Sequence, residues 1–451
     1  MSSQIMRSGL AMFPSRRVYL LLLLGTVIGL VVAIVGTITG SGWLGFAILL
    51  TLIWDGLILL LTLVDGWRVK SDRVQLERLP IGRLSIGRHN SVYLKLHANR
   101  PAMLQIRDYY PPVFTATPEV LHVRVPANRD EELTYTVLPS QRGEYNWGMI
   151  QLRQLGAWGL AWHQWSVAQA EAVAVYPDLI GLRSLSIRLT IQSTGNLKRA
   201  QRLGMGTEFA ELREYSVGDD PRLIDWKATA RRSRLLLRVL EPEHEQTLII
   251  LLDSGRLMTA QVQGLARFDW GMNAVLSLAL AGLHRGDRVG VGVFDRQLHT
   301  WVPPERGQNQ LNKLIDRLTP LQPTLREPDY LGAVTTVTQQ QTRRALVVLL
   351  TDLVDKTASA ELLSAMARLS PRYLPFCVTL RDPQIDAQAH YLTQDISSSY
   401  ARAVALDLLT QRQVAFGTLK QKGVLVLDAP ANQISEQLVD RYLQLKTRNR
   451  L

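Results

Sequence analysis

Residues 206–258 read GTEFAELREYSVGDDPRLIDWKATARRSRLLLRVLEPEHEQTLIILLDSGRLM. Charged side chains crowd the first half, from Glu208, Glu211, Arg213 and Glu214 through Asp219, Asp220, Arg222, Asp225 and Lys227 to Arg231 and Arg232. The second half becomes an apolar run, 248–252, that ends in Asp253-Ser254-Gly255. A polar segment feeding a buried strand with an acid at its carboxyl end builds a site, or the approach to one. Downstream, apolar runs at 247–253, 288–295, 345–351, 374–380 and 424–428 alternate with helical spacing at 265–284, 311–318, 359–369, 398–420 and 435–445. Residues 298–302 read as an antiparallel edge. Near-continuous apolar strands separated by helices mean a mostly parallel sheet covered on both faces. Residues 246–451 are therefore expected to form one doubly wound α/β domain, with ligands bound beyond the strand ends at the switch in strand order.

Upstream, the period changes. Between residues 67 and 178, alternating runs at 91–97, 120–125 and 133–138, with further strands at 145–152 and 170–176, are separated by Pro, Gly, Asn and Asp turns. About seven short strands predict an immunoglobulin-like β-sandwich, with Trp147, Trp158, Trp162 and Trp165 in its core and rim. Residues 18–54 carry no charge, and the stretch divides at Gly40-Ser41-Gly42 into two apolar segments, 18–39 and 43–64. Each is long enough to cross a bilayer. Residues 1–66 thus read as a transmembrane helical hairpin. Arg7, Arg16 and Arg17 precede it and Arg68, Lys70 and Arg73 follow it, which by the positive-inside rule places both termini in the cytoplasm of an inner-membrane protein. Asp55 lies within the second span, either as a functional acid or as a residue that helps two hairpins associate.

The composition narrows the function. The net charge is +12 over 451 residues, yet no zinc-finger spacing or aromatic RNA-binding signature accompanies it. An anionic membrane surface suits that charge better than a nucleic acid. The single cysteine, Cys377, excludes an intrachain disulfide or a multi-thiolate metal site. There is no phosphate-loop motif and no nucleophile elbow at Ser254. In the signature segment 179–245, Asp219, Asp220 and Asp225 could do acid–base or metal chemistry. The cations interleaved among them favour a structural network, with Asp219 or Asp220 capping a helix over 223–231 and Pro221 at its first position. A short helix around 196–202 precedes Gly204-Met205-Gly206.

The string from Gly206 through Glu208-Phe209, Leu212-Arg213, Tyr215, Gly218-Asp219-Asp220, Arg222, Asp225-Trp226 and Arg231 resembles the signature of domain-of-unknown-function family 58. The resemblance implies two membrane spans, a β domain and a von Willebrand factor A-like domain. In such domains a divalent cation is held by an Asp-x-Ser-x-Ser loop, a distant threonine and a later aspartate. Here Gly255 and Leu257 occupy the serine positions, so Asp253, Ser254, Asp329 (or Glu327) and Asp352 are expected to form a degenerate, metal-free site, with Mg²⁺ as the alternative occupant. Arg256 is expected to fill the cation's place. The resemblance also implies a MoxR-type AAA+ ATPase as partner. The chain is read as a non-enzymatic, membrane-anchored adaptor in assembly, maturation or envelope-linked stress tolerance; the alternative is a metal-dependent hydrolase using the signature carboxylates.

Overall fold

A computed structural model describes residues 11–38, 43–203, 208–241, 246–353, 359–391 and 395–447. The chain divides into two compact units, Met1–Val175 and Tyr176–Leu451. The glycine-rich turns at 40–42 and 204–206 lie outside the described residues.

In the first unit, α1 (Arg16–Ile38) and α2 (Leu44–Ser71) are both long and apolar enough to cross a membrane. They pack closely because α1 presents glycines where α2 presents bulk. A Cβ on Gly25 would meet Trp54 Cδ1 at 2.2 Å, and one on Gly29 would meet Thr51 Cγ2 at 2.0 Å. The Trp54 indole donates to the Leu21 carbonyl at 3.0 Å. The second helix runs seven residues past the expected end at 64, and this extension carries Asp65 into the β region.

That region forms three sheets. One runs β1 (Ala11–Pro14), β11 (Ala161–Val167), β10 (Ile150–Leu155), β5 (Ala102–Asp108), β7 (Leu121–Val125). A second runs β2 (Gln75–Arg78), β4 (Asn90–Ala98), β8 (Arg129–Pro139), β6 (Phe114–Thr117), and a third β3 (Leu84–Ser85), β12 (Glu171–Tyr176), β9 (Gly143–Trp147). The expected strand at 145–152 is two strands, broken where the Gly148 amide donates to the Tyr109 carbonyl. Strands 102–108, 114–117 and 161–167 were not anticipated, because their alternation is short or interrupted by tryptophans. β1 precedes α1 and pairs antiparallel with β11, so chain from both ends of the helix pair meets in one sheet. Trp147 is fully buried, whereas Trp158 is exposed.

The β core holds a buried ion pair. Asp108 accepts from Arg78 at 2.5 Å and 3.1 Å, from the Tyr135 hydroxyl at 2.6 Å and from the Trp147 indole at 3.1 Å.

In the second unit a six-stranded sheet runs β19 (Leu298–Glu305), β18 (Arg288–Phe294), β15 (Thr247–Asp253), β20 (Leu346–Thr351), β21 (Leu374–Arg381), β22 (Leu425–Pro430). All neighbours are parallel except β19, the antiparallel edge. Alternate residues of β15 serve opposite faces: Leu248, Ile250 and Leu252 pack with α5 (Arg267–His284) and α11 (Ile434–Thr447), while Ile249 and Leu251 face α7 (Tyr330–Gln340) and α8 (Ala360–Leu369). α6 (Gln308–Leu318) adds Leu314 and Leu318 to the first layer, and α10 (Ile396–Gln421) adds Phe416 and Leu419 to the second. The remaining pieces are α9 (Pro383–His390) and a minor hairpin of β16 (Gln261–Val262) and β17 (Leu265–Ala266).

The signature segment departs from expectation. Its first helix, α3, spans Leu179–Leu203 rather than 196–202, and Leu182, Leu185 and Leu189 join the α/β core. Each such burial is worth about 1.5–3 kcal/mol. A hairpin follows, β13 (Glu208–Glu214) with β14 (Leu236–Glu241), absent from the sequence reading because charges mask its alternation. The single helix expected over 223–231 is a 3-10 turn, Pro221–Leu223, and a separate helix α4 (Trp226–Arg232). Two caps explain the break, since Asp220 caps the turn and Asp225 begins anew.

Asp108→Ala is expected to destabilise the β region by about 3–5 kcal/mol, because Arg78 would remain buried without a counter-charge. Denaturant unfolding measures this. Asp130→Ala, in the exposed pair with Lys95, should leave the midpoint nearly unchanged.

Candidate functional site

The strand order switches between β15 and β20: from β15 the chain proceeds outward through β18 to β19, and from β20 outward through β21 to β22. Asp253 and Asp352 stand at this point, at the carboxyl ends of the two central strands. Both are buried.

Asp253 is held by neutral donors. Its Oδ2 accepts from the Thr351 hydroxyl at 2.6 Å and the Tyr330 hydroxyl at 3.1 Å, and its Oδ1 accepts from the Gly255 amide at 2.7 Å. Gly255 is required by space, since a Cβ there would lie 2.7 Å from the Arg326 carbonyl oxygen. Burial pushes the Asp253 carboxyl up to about 6, against those hydrogen bonds, and the charge of Asp352 adds to the rise.

Asp352 is held by two cations. Arg267 Nη1 lies 2.8 Å from Oδ2, and Arg412 Nη1 lies 2.7 Å from Oδ1. Arg412 reaches on to Asp428 at 2.8 Å, and Asp428 in turn accepts from Arg381 and from the Thr379 hydroxyl, both at 2.8 Å. A buried ladder of alternating charge thus crosses the ends of β20, β21 and β22.

The other residues expected at a metal site point elsewhere. Ser254 donates to the Phe294 carbonyl at 2.9 Å, and Asp329 caps α7 through the Gly332 amide. It is Tyr330, the next residue in the chain, that approaches Asp253. Arg256 does not fill a cation's place: it pairs with the exposed Glu327 at 2.7 Å, and Arg267 and Arg412 supply the positive charge instead. Asp295, just past the end of β18, is fully buried. Burial opposes its ionisation, but bonds from His299, Thr324 and Gln297 outweigh it and bring the carboxyl down to about 2. Hard divalent cations need several free oxygen ligands. Here Asp352 is saturated by guanidinium groups and the nearby hydroxyls are committed, so the donor set does not fit Mg²⁺.

The signature acids are struts of the hairpin. Asp219 accepts from the Ser216 amide and from Arg213 at 2.8 Å, which together hold its carboxyl below the ordinary value. Gly218 allows the turn with a φ of +108°. Asp220 accepts from the Arg222 amide at 2.9 Å, and Asp225 caps α4 while accepting from Arg238 at 2.8 Å. Tyr215 is half-buried, and its amide donates to the Leu235 carbonyl. Trp226, Arg222 and Arg231 are exposed. The side chains of Glu208 and Phe209 lie outside what the structure describes. The hairpin and the switch-point acids are not brought together: β14 leads into the amino end of β15, opposite Asp253.

Arg267, Arg412, Asp428, Thr351 and Tyr330 escaped the sequence reading. Arg412 left one trace, a charge on the face that carries Ala405, Ala415, Phe416 and Leu419.

The chain is thus a mixed α/β protein with two amino-terminal apolar helices, a β-rich region and a switch point closed by ion pairs. Residues 211–389 match the model of the family described as "Protein of unknown function DUF58". Uncharacterized proteins of Mycobacterium bovis and Mycobacterium tuberculosis are 22% identical over 206 residues, which is 45% of this chain and 65% of theirs. Among solved structures, the conserved hypothetical protein BatB from Bacteroides thetaiotaomicron matches at 12% identity with a TM-score of 0.32, covering 45% of this chain and 100% of that one. The ASH/PapD-like domain of human CEP192 matches at 12% identity with a TM-score of 0.19, covering 23% and 85%. Both scores are too low to speak for a shared fold.

Asp253 releases its proton near 3.8 in the unfolded chain and near 6 in the folded protein. Its contribution to stability therefore falls as pH rises between those values and is constant outside them. The stability of wild type minus that of Asp253→Asn is expected to drop by about 3 kcal/mol from about pH 3.5 to pH 7. A difference that rises instead would show a carboxylate held ionised, as a bound cation would hold it.

Proposed function

We propose that this chain is a membrane-anchored, non-enzymatic adaptor. Its α/β unit would be a von Willebrand A-like docking domain, its β region an immunoglobulin-like spacer, and its helix pair an inner-membrane anchor with both termini in the cytoplasm. The observation that carries the reading is the first half of α10. Arg412, level with the strand ends through Asp352, comes sixteen residues after Ile396. About 24 Å of helix therefore stands beyond the sheet. Ile396, Tyr400 and Val404 recur at four-residue spacing on that half, the first two exposed at 87% and 74%. A ridge of large apolar side chains in water is a feature of binding surfaces. The locked carboxylates beside it suit a rigid platform better than a reaction centre. Leu325, in a loop near the strand ends, adds a further exposed apolar side chain.

The proposed partner is a MoxR-type AAA+ ATPase, in assembly, maturation or envelope-linked stress tolerance. Crosslinking and pull-down of the full chain from membranes should recover the ATPase. Ile396→Glu combined with Tyr400→Glu should abolish recovery without changing the melting temperature. If no ATPase is enriched over a control lacking residues 246–451, the partner assignment fails.

A further inference from the structure

We infer that the joint between α2 and the β region is a binding surface for anionic phospholipid headgroups. This rests on the reading that α1 and α2 span a bilayer. The joint is fixed by Asp65, which is fully buried and accepts from the amides of Trp158 at 3.0 Å, Leu160 at 2.9 Å and Ala161 at 3.2 Å. The buried Ser15, just before α1, donates to the Gly159 carbonyl at 2.6 Å, and its amide donates to the Leu160 carbonyl. The 156–161 turn is thereby held against the ends of both apolar helices, at the depth where hydrocarbon gives way to headgroups.

The side chains around that turn are of two kinds. Trp67 is 77% exposed, and Phe13 and Trp158 are also exposed. Aromatic residues that remain open at the end of a span suit the bilayer interface. Interleaved with them are the exposed cations Arg16, Arg17, Arg68, Lys70 and Arg73. Arg68 lies 4.8 Å from the centre of the Trp158 ring, and Arg73 lies 5.7 Å from that of Trp165. None of the five forms an ion pair with a carboxylate among the described residues. The nearest acids are already engaged, Asp65 by backbone amides and Asp72 by Arg100 at 2.9 Å. The positive field reaches inward. The buried His163 imidazole is held below its ordinary pKa, first by burial and then by Arg73 and Lys70. Five uncompensated cations set among interfacial aromatics complement a surface of phosphate diesters carrying net negative charge, since each cation near such a surface contributes about 1 kcal/mol.

The test uses the full chain reconstituted in nanodiscs of equal parts phosphatidylglycerol and phosphatidylcholine. The protein is released into mild detergent and its retained lipids are counted by native mass spectrometry. Retention of phosphatidylglycerol is expected to exceed that of phosphatidylcholine by about five-fold or more. The variant Arg68→Gln/Lys70→Gln/Arg73→Gln should bring the ratio close to one. Lys70→Gln alone, which removes no described contact, should lower it measurably, so a misfolded triple variant would not hide the answer. Arg288→Gln/Arg343→Gln, in the other unit, should leave the ratio unchanged. Equal retention by the wild type, or an unchanged ratio in the triple and single variants, overturns the lipid surface. Alkaline carbonate extraction separates the two readings: a chain that is extracted from membranes overturns the anchor and the lipid surface together, whereas one that stays but shows no preference overturns the lipid surface alone.

Discussion

Asp352 ends a central strand of the sheet with a guanidinium on each carboxylate oxygen, and the two arginines come from opposite layers. Arg267 opens α5, which packs on one face, and Arg412 lies in α10, which packs on the other. A carboxylate buried at that position carries a desolvation penalty of several kcal/mol unless it is paired. The pairing therefore holds both helical layers to one strand end. Because Arg412 also reaches Asp428, the tie extends to β22. In open α/β sheets this crevice is where ligands bind. In this protein the same place is closed by the chain's own ions.

The closure explains which acids remain available for function. Asp253 is surrounded by neutral donors rather than cations, so burial leaves it as a weak acid beside a fully compensated neighbour. Two adjacent carboxylates with such different surroundings would resemble an acid–base pair, except that Asp352 is sealed by guanidinium groups on both oxygens. Among the described residues, the first half of α10 adds exposed apolar side chains, Ile396, Tyr400 and Val404, to the domain surface.

Much of the architecture was legible because strand burial writes itself as apolar runs. Every strand of the six-stranded sheet, the antiparallel edge included, was anticipated, and so were the two apolar helices. The β region was legible only as a class. Strands such as 161–167, with two tryptophans among polar residues, carry no clean two-residue period. At the switch point the sequence identified Asp253 and Asp352 but not their partners. Arg267 and Arg412 lie 85 residues before and 60 residues after Asp352, and nothing local links them to it. Arg256 was the obvious guanidinium by proximity, yet its loop turns it outward to Glu327. The hairpin of the signature segment was hidden for another reason, since dense charges surround Leu236 and Leu237, which are adjacent and both buried and so show no two-residue period.

The basic surplus of the chain divides by burial into two roles. Arginines in the interior, Arg78 with Asp108 and Arg412 with Asp352 and Asp428, are matched to acids, because an unmatched charge there would unfold its surroundings. Cations outside need no such match, and in solution alone a cluster of them only repels itself. Those at the end of α2 nevertheless stand together without acids, among aromatics that are themselves exposed. Exposure keeps that cluster hydrated and tolerable to the fold, and its place beside two apolar helices is what the proposed lipid surface rests on.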